Sequence, residues 1–326
     1  MERIPTSAPV ILSLPPSVHR PLWSVMIPVY NCTAFLADTL QSVLAQDPGQ
    51  QHMQIEVVDD ASTDADVQKL VWQIGKGRIG YFRQAENVGS LRNFETCINR
   101  SQGKLVHLLH GDDRIRPGFY QTLSLLFEQY PQAGAAFSNY CFINENGHHV
   151  LDQPAEAKQA GILSDWLLRI GELQRIQYVA MVVRREVYEK VGSFYGMAYA
   201  EDWEMWVRIA KHYPVAYTPE ILAEYRGHQD SISWQKEISG QNIVDLLKAM
   251  ELIQDHLPYS HRKKILQESK KYYARMNIGT AYNIWCHKRN IFLAYSHVKR
   301  ALSLSRDPIV YFHLLKFYVK AVLRIY

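Results

Sequence analysis

A covered strand that ends in two adjacent carboxylates constrains a chain more than its bulk composition does. Leu105-Val-His-Leu-Leu-His110 is a short, largely apolar run; Gly111 stops it, and Asp112 and Asp113 follow at once. Such a run reads as a buried strand, and open α/β sheets hold their ligands at the carboxyl ends of strands. An isolated Asp-Asp is more often an acidic surface turn. Here a second pair, Asp59 and Asp60, ends another apolar run, Ile55–Val58. Strand ends of one parallel sheet share a rim, so the two pairs can face one cleft. Four carboxylates there repel one another unless positive charge lies between them. A hard divalent cation shared with the phosphates of a nucleotide diphosphate supplies it. The stretch Asp59–Asp64 also fits a helix start rich in capping side chains, and that reading stays open beside the first.

The segments around these pairs alternate. Strands are expected at Ser24–Val29, Ile55–Val58, Ile79–Phe82 and from Leu105. Between them Leu36, Leu40, Val43 and Leu44, then Val67, Leu70, Val71 and Ile74, fall at helical spacing, and a third helix is expected from about Asn93 to Ser101. Thr33 is a plausible N-cap for the first helix. This alternation implies an α/β fold, a mainly parallel sheet with helices on both faces. A helix through Phe119–Phe127, strands at Ala133–Phe137 and Tyr178–Val183, and a helix from Ala200 continue the pattern. Gly75-Lys-Gly-Arg-Ile-Gly80 matches GxGxxG, yet it follows a helix and precedes a strand, the reverse of a dinucleotide fingerprint, so it is read as a loop. Beyond about Trp234 the pattern is purely helical, and 277–308 resembles one tetratricopeptide-type hairpin with a polar turn at His287–Asn290. The expected organisation is an N-terminal arm over 1–20, an α/β domain over 21–235 and an all-helical region over 236–326.

With 47% hydrophobic and 21% charged residues, the chain has the make-up of a globular protein rather than a disordered one. Cys32, Cys97, Cys141 and Cys286 are scattered without CxxC spacing, which points to a reducing compartment and away from a disulfide framework or zinc site. No signal-like apolar segment or spanning run is evident, so a cytoplasmic location is expected. Charge is uneven: residues 260–326 hold 14 Lys+Arg and 2 Asp+Glu, a net of +12, so the whole-chain +4 leaves −8 for 1–259. No nucleic-acid module accompanies the basic part, and nucleic acid is not expected as a partner.

Five motifs occur in order: Ser24-Val-Met-Ile-Pro-Val-Tyr-Asn31, Val57-Val-Asp-Asp-Ala-Ser-Thr-Asp64, Asn87-Val-Gly89 with Asn93, His110-Gly-Asp-Asp113 and Ala200-Glu-Asp202. Together they resemble the GT-A family 2 glycosyltransferases over about residues 22–233. The resemblance implies a GT-A fold, inverting transfer of a hexose-like sugar from a nucleotide diphosphate donor, foremost a UDP-sugar, and a divalent cation, Mn²⁺ or Mg²⁺. It implies a saccharide or lipid-linked acceptor in cell-surface polysaccharide or glycolipid synthesis. By position, it implies that Pro28 and Tyr30 line the base pocket and that Asp60 binds the base or ribose. Arg92 and Asn93 would lie beside the nucleotide-sugar, and Asp112 would contact ribose or sugar. Asp113 would hold the metal, His228 would reach the metal or diphosphate, and Asp202 would be the general base. The sequence departs from many relatives in lacking a spaced Asp-x-Asp, which puts the ligand set in question.

Inverting displacement needs one base to take the acceptor's proton. Asp202 suits the role at a helix start beside Trp203 and Trp206; desolvation there raises a carboxyl pKa and the helix end lowers it, and Glu201 is the local competitor. Arg226 is a further candidate to assist the leaving diphosphate. A nucleotidyltransferase and a catalytically inactive nucleotide-sugar-binding scaffold are the alternatives, although the loop after the first strand lacks the Gly-rich basic character of the former. On the last helix, from Ile309, the residues His313, Lys316, Lys320 and Arg324 form a narrow basic stripe on an otherwise apolar surface. Such a helix must pack on 277–304, on another subunit or at a membrane interface, and peripheral attachment at the inner membrane face is the expectation that follows from the charge.

Overall fold

The computed structural model describes residues 2–323; Arg324, the last member of the expected basic stripe, lies outside them. The elements run β1 (Trp23–Val29), α1 (Thr33–Leu44), β2 (Met53–Asp59), α2 (Val67–Gly75), β3 (Gly80–Arg83), α3 (Ser90–Arg100), β4 (Leu105–Leu108), β5 (Arg114–Ile115) and α4 (Phe119–Gln129). There follow β6 (Ala135–Ile143), β7 (His149–Asp152), β8 (Gly161–Ile162), α5 (Trp166–Glu172), β9 (Met181–Arg184), α6 (Arg185–Val191), α7 (Glu201–His212) and β10 (Val215–Arg226). The helical part is α8 (Ile232–Ser239), α9 (Gln241–Gln254), α10 (Tyr259–Asn283), α11 (Ile291–Leu304) and α12 (Pro308–Leu323).

One sheet runs in the order β3-β2-β1-β4-β9-β6-β10-β5, with β7 on β6 and β8 on β10. The long pairings, β1 with β2 and β6 with β10, are parallel, as strand-helix alternation requires. β9 enters antiparallel between β4 and β6, so the sheet is mixed. All seven residues of β1 are buried, which is why Ser24–Val29 carries no polar alternation: helices cover both faces.

Local chemistry sets the element ends, and three differ from the sequence expectation. Thr33 is the first helical residue of α1 and not its cap; its N–H and hydroxyl donate to Asp64 Oδ2 at 2.9 and 2.7 Å, so the loop after β2 caps the helix after β1. α3 begins at Ser90, ahead of Asn93, because Asp60 accepts from the N–H groups of Val88 and Gly89 and fixes the chain just before it. Gly89 has φ 91, a conformation that favours glycine. Tyr178–Ala180 forms a single 3₁₀ turn ahead of β9 instead of extending it. The Gly75–Gly80 segment is a loop between α2 and β3, as read.

The N-terminal arm is held. Ile11 is buried, Arg185 Nη2 donates to Leu12 O (3.0 Å), and the N–H groups of Ser193 and Gly196 donate to Pro9 O and Pro5 O (both 2.8 Å). The expected boundary at 235 falls inside α8, whose N-cap Ser231 accepts from Trp234 N–H. α10 and α11 form the expected hairpin through Ala274, Ala281, Ala294 and Ala301, all fully buried, which lets the two helices approach closely. No helix among the described residues is long and apolar enough to cross a membrane.

Candidate active site

Both acidic pairs lie on one rim. Val29 pairs with Asp59 in register, Asp60 N–H donates to Val29 O (2.8 Å), and Gly111 N–H donates to Pro28 O (3.3 Å). Gly111 is required there, since a Cβ would sit 2.9 Å from both Cys32 Sγ and Val29 Cγ2. The four charges do not all compete for one cation. Asp59 accepts from Tyr81 Oη and Ser62 N–H and is paired with Arg83, so its charge is compensated inside the fold. Asp60 accepts from Val88 N–H (2.7 Å), Gly89 N–H (2.9 Å) and Asn87 Nδ2 (3.1 Å), which ties the Asn87–Gly89 loop to β2.

Asp112 and Asp113 differ. Asp113 is buried; Oδ1 accepts from Arg226 N–H (2.8 Å), and Oδ2 has no protein partner. Burial, then the charge of Asp112, pushes its carboxyl well above the usual range. Asp112 is partly buried, and although burial raises its carboxyl, the hydrogen bond from His228 Nε2 (2.9 Å) and the charges of His110 and His228 hold it below that range. His110 Nε2 and His228 Nδ1 are likewise buried without partners. Ligand atoms of His110, Asp112 and Asp113 lie within 4.8 Å of one another. Two carboxylates and an imidazole nitrogen this close together, with His110 Nε2 and Asp113 Oδ2 left without partners, fit a divalent cation of the Mn²⁺ type. The sequence reading named Asp113 and His228 for this role; the structure groups His110 with the carboxylates and sets His228 against Asp112. Arg226 is not free for a diphosphate. Its guanidinium is buried and donates to Asp112 O (2.7 Å), Glu145 O (3.2 Å) and Asp38 Oδ2 (3.1 Å).

A third acidic pair, Glu201 and Asp202, opens α7. Ala200 precedes it at φ 66, and the loop residues Asn31 and Ala61 at the first rim have φ 50 and 59. Left-handed backbone at an alanine costs about 1–2 kcal/mol, and such strain gathers at functional loops. Asp202 Oδ1 accepts from Trp203 N–H (2.7 Å) and Oδ2 from Gln174 Nε2. Glu201 Oε1 accepts from Tyr178 Oη (3.1 Å). Burial raises both carboxyls, Glu201 to about 7 and Asp202 well above its usual range, with Glu201 adding to the rise at Asp202. Desolvation therefore outweighs the helix end. The 3₁₀ turn points Tyr178 at His110, ring centroids 4.4 Å apart, so one tyrosine links the His110–Asp112–Asp113 cluster to the α7 pair. Tyr178, His110 as a ligand and Gln174 were not picked out from sequence; the Nε2 of Gln174 also donates to Ile176 O (3.0 Å), and its backbone N–H donates to Tyr273 Oη of α10 (3.2 Å).

The other expected residues divide. Pro28 is buried in β1, and Tyr30 follows it on the rim with 49% of its surface exposed. Asn93 is buried and spends its amide on Val58 O (2.9 Å) and Gln84 Nε2 (3.2 Å), bracing α3 against β2. Arg92 donates to Glu2 O (2.9 Å) and pairs with Glu95 (2.7 Å). Among the described residues no hydrogen bond or ion pair joins Arg92 or Asn93 to the His110–Asp112–Asp113 cluster.

A mixed sheet with helices on both faces, carboxylates on the rim and an acidic pair at a later helix start define a GT-A glycosyltransferase. The model for "Glycosyl transferase family 2" matches residues 24–192, and the chain belongs to that family. It is 28% identical to an uncharacterised Mycobacterium tuberculosis protein over 74% of this chain and 78% of that one. It is also 28% identical to Bacillus subtilis TuaG, provisionally named a teichuronic acid biosynthesis glycosyltransferase, over 67% of this chain and 83% of that one. Among solved structures, S. aureus TarS 1–349 is similar with a TM-score of 0.61 at 17% identity, covering 90% of this chain and 87% of that one. The mannosyltransferase PcManGT from Pyrobaculum calidifontis, in complex with GDP-Man and Mn²⁺, has a TM-score of 0.58 at 17% identity, covering 98% and 83%. These structural likenesses concern the fold.

Proposed function

We propose that the protein transfers a hexose from a nucleotide diphosphate donor to a hydroxyl of a saccharide or lipid-linked acceptor, with inversion at the anomeric carbon. The observation that carries this reading is the cluster of His110, Asp112 and Asp113, with orphaned atoms on His110 and Asp113, together with a desolvated carboxylate, Asp202, reached through Tyr178 and Glu201. A divalent cation, Mn²⁺ or Mg²⁺, held by His110, Asp112 and Asp113 would supply Lewis-acid neutralisation of the leaving diphosphate. Asp202 takes the proton of the acceptor hydroxyl as its oxygen bonds to the anomeric carbon and the bond to the diphosphate breaks. Gln174 holds the Asp202 carboxylate in place. His228 holds Asp112. A UDP-sugar is the favoured donor, a reading supported by TarS solved with UDP-GlcNAc, and a GDP-sugar is the alternative that PcManGT with GDP-Man offers. The name of TuaG supports a place in cell-surface polysaccharide synthesis.

The test is release of UDP or GDP from a panel of nucleotide-hexoses that includes UDP-GlcNAc and GDP-Man, with Mn²⁺ and with a chelator. Nucleotide release that depends on Mn²⁺, and a product of the anomeric configuration opposite to the donor's, are expected. No release from any donor defeats the enzyme reading, and retained configuration defeats the inverting one.

Tyr30, half-exposed on the rim, is the proposed stacking partner of the nucleotide base. Tyr30→Ala is expected to weaken UDP binding by about 1–3 kcal/mol, the usual worth of one base–aromatic stack, while titration calorimetry shows an unchanged Mn²⁺ requirement. Equal UDP affinity would put the base elsewhere.

A further inference from the structure

The helical part exposes more apolar surface than its own packing uses. On α12 the inner face is closed: Val310 and Phe317 are buried, and Phe317 meets Tyr282 of α10 with centroids 6.4 Å apart. The opposite face carries Phe312, Leu315 and Val319, at 53%, 61% and 46% exposure. Their spacing of three and four residues puts them on one line along the helix. Lys316 and Lys320 flank that line, and their ammonium groups lie over aromatic rings, Lys316 4.4 Å from the centre of Phe312 and Lys320 4.8 Å from that of Tyr282. On the neighbouring α11, Phe292 is 85% exposed, and Lys299 lies 4.9 Å from the ring centre of Tyr295.

Charge selects the occupant of this face. Residues 260–326 carry a net +12, so a second copy seated face to face would bring two strongly basic surfaces together. An anionic surface is attracted instead, and an apolar line flanked by lysines that can reach head groups is what an interfacial helix presents. The described helices are too short or too polar to cross a bilayer, which leaves lying on it. We propose that α12 docks flat on an anionic lipid bilayer, with Phe312, Leu315 and Val319 entering the acyl boundary and Lys316 and Lys320 at head-group level. This goes beyond sugar transfer and does not depend on it, since docking needs neither donor nor acceptor.

The experiment is co-sedimentation of the full chain with phosphatidylcholine vesicles and with vesicles that also contain phosphatidylglycerol, at low and raised salt. The protein should sediment with the anionic vesicles and stay largely in solution with the neutral ones, less being bound at high salt. Two variants separate the contributions: Phe312→Ser with Leu315→Ser, and Lys316→Glu with Lys320→Glu. These side chains are surface groups, so circular dichroism should be unchanged, and each pair should lower the bound fraction on the order of tenfold or more, through lost apolar burial in the first and lost attraction in the second. No sedimentation of the wild type at low salt overturns the proposal, as does sedimentation of both variants equal to that of the wild type. A wild-type dimer in light scattering that Leu315→Ser converts to monomer, with no vesicle binding, would assign the face to self-association and overturn it too.

Discussion

Asp202→Asn is expected to keep donor binding and to slow sugar transfer about 10²–10⁴-fold, the usual contribution of a positioned general base. Asparagine keeps the shape, and its Oδ1 can still accept from Trp203 N–H, so the α7 start should hold its geometry, while the hydrogen bond from Gln174 Nε2 to the other oxygen is lost. What is lost is a basic oxygen. The direction of the pH profile follows from the burial of this carboxyl. A base works only when deprotonated, and burial, then Glu201, raises Asp202 well above the ordinary carboxylate range. Activity should therefore rise with pH along an acid limb displaced upward from that range. Gln174→Leu removes a donor that favours the ionised form and should move the limb higher still, with less effect on the rate at its plateau. Glu201 lies beside Asp202 and is itself raised to about 7, so the limb belongs to the pair. Single-turnover transfer measured across pH, with donor affinity measured separately, distinguishes the outcomes. A near wild-type rate for Asp202→Asn, with a large loss for Glu201→Gln, would transfer the base role to Glu201.

Asp113→Asn should remove the Mn²⁺-dependent part of UDP binding. The loss should exceed the roughly 10–100-fold typical of an outer-shell partner, because an orphaned ligand atom is changed rather than its support. The asparagine carbonyl still accepts from Arg226 N–H, so the turn before β5 keeps its anchor. Stability gives a second readout of opposite sign. A carboxyl held above its unfolded pKa contributes full stability below the ordinary carboxylate range and loses it as pH rises toward the raised value. Removing that carboxyl should leave the cation-free protein at least as stable as wild type at neutral pH, while Mn²⁺ no longer raises the melting temperature. A variant that melts earlier without Mn²⁺ yet still binds UDP in an Mn²⁺-dependent way would make Asp113 a structural residue and pass the ligand role to Asp112 and His110.

The five motifs were legible because each is a local pattern. An apolar run with no polar alternation, such as Ser24–Val29, can only be a strand covered on both faces, and all of β1 is buried. Asp59 with Asp60 and Asp112 with Asp113 had to reach one rim once β1, β2 and β4 were parallel neighbours. Asp202 at a helix start is equally local. Where a charge finds its partner is not a local matter. Arg83 and Tyr81, which arrive on β3, neutralise Asp59, so the sequence suggested four competing carboxylates where the fold leaves two. The 3₁₀ turn at Tyr178–Ala180 turns one ring toward His110 and Glu201, and no periodicity signals it.

By itself, then, the sequence determined the order of strands and helices, the acidic rim and the helix start that carries Asp202, because alternation, capping and apolar runs act over a few residues. The tertiary structure alone decided that Asp113 is the carboxylate left with an orphaned oxygen, that His110 joins it and Asp112 while His228 bonds to Asp112, and that α10 braces Gln174 beside Asp202 through Tyr273. It also decided which face of α12 is covered by its own neighbours and which is left bare. Each of these depends on groups brought together from distant parts of the chain. Desolvation and hydrogen-bond competition are properties of that assembled surrounding and have no counterpart in residue order.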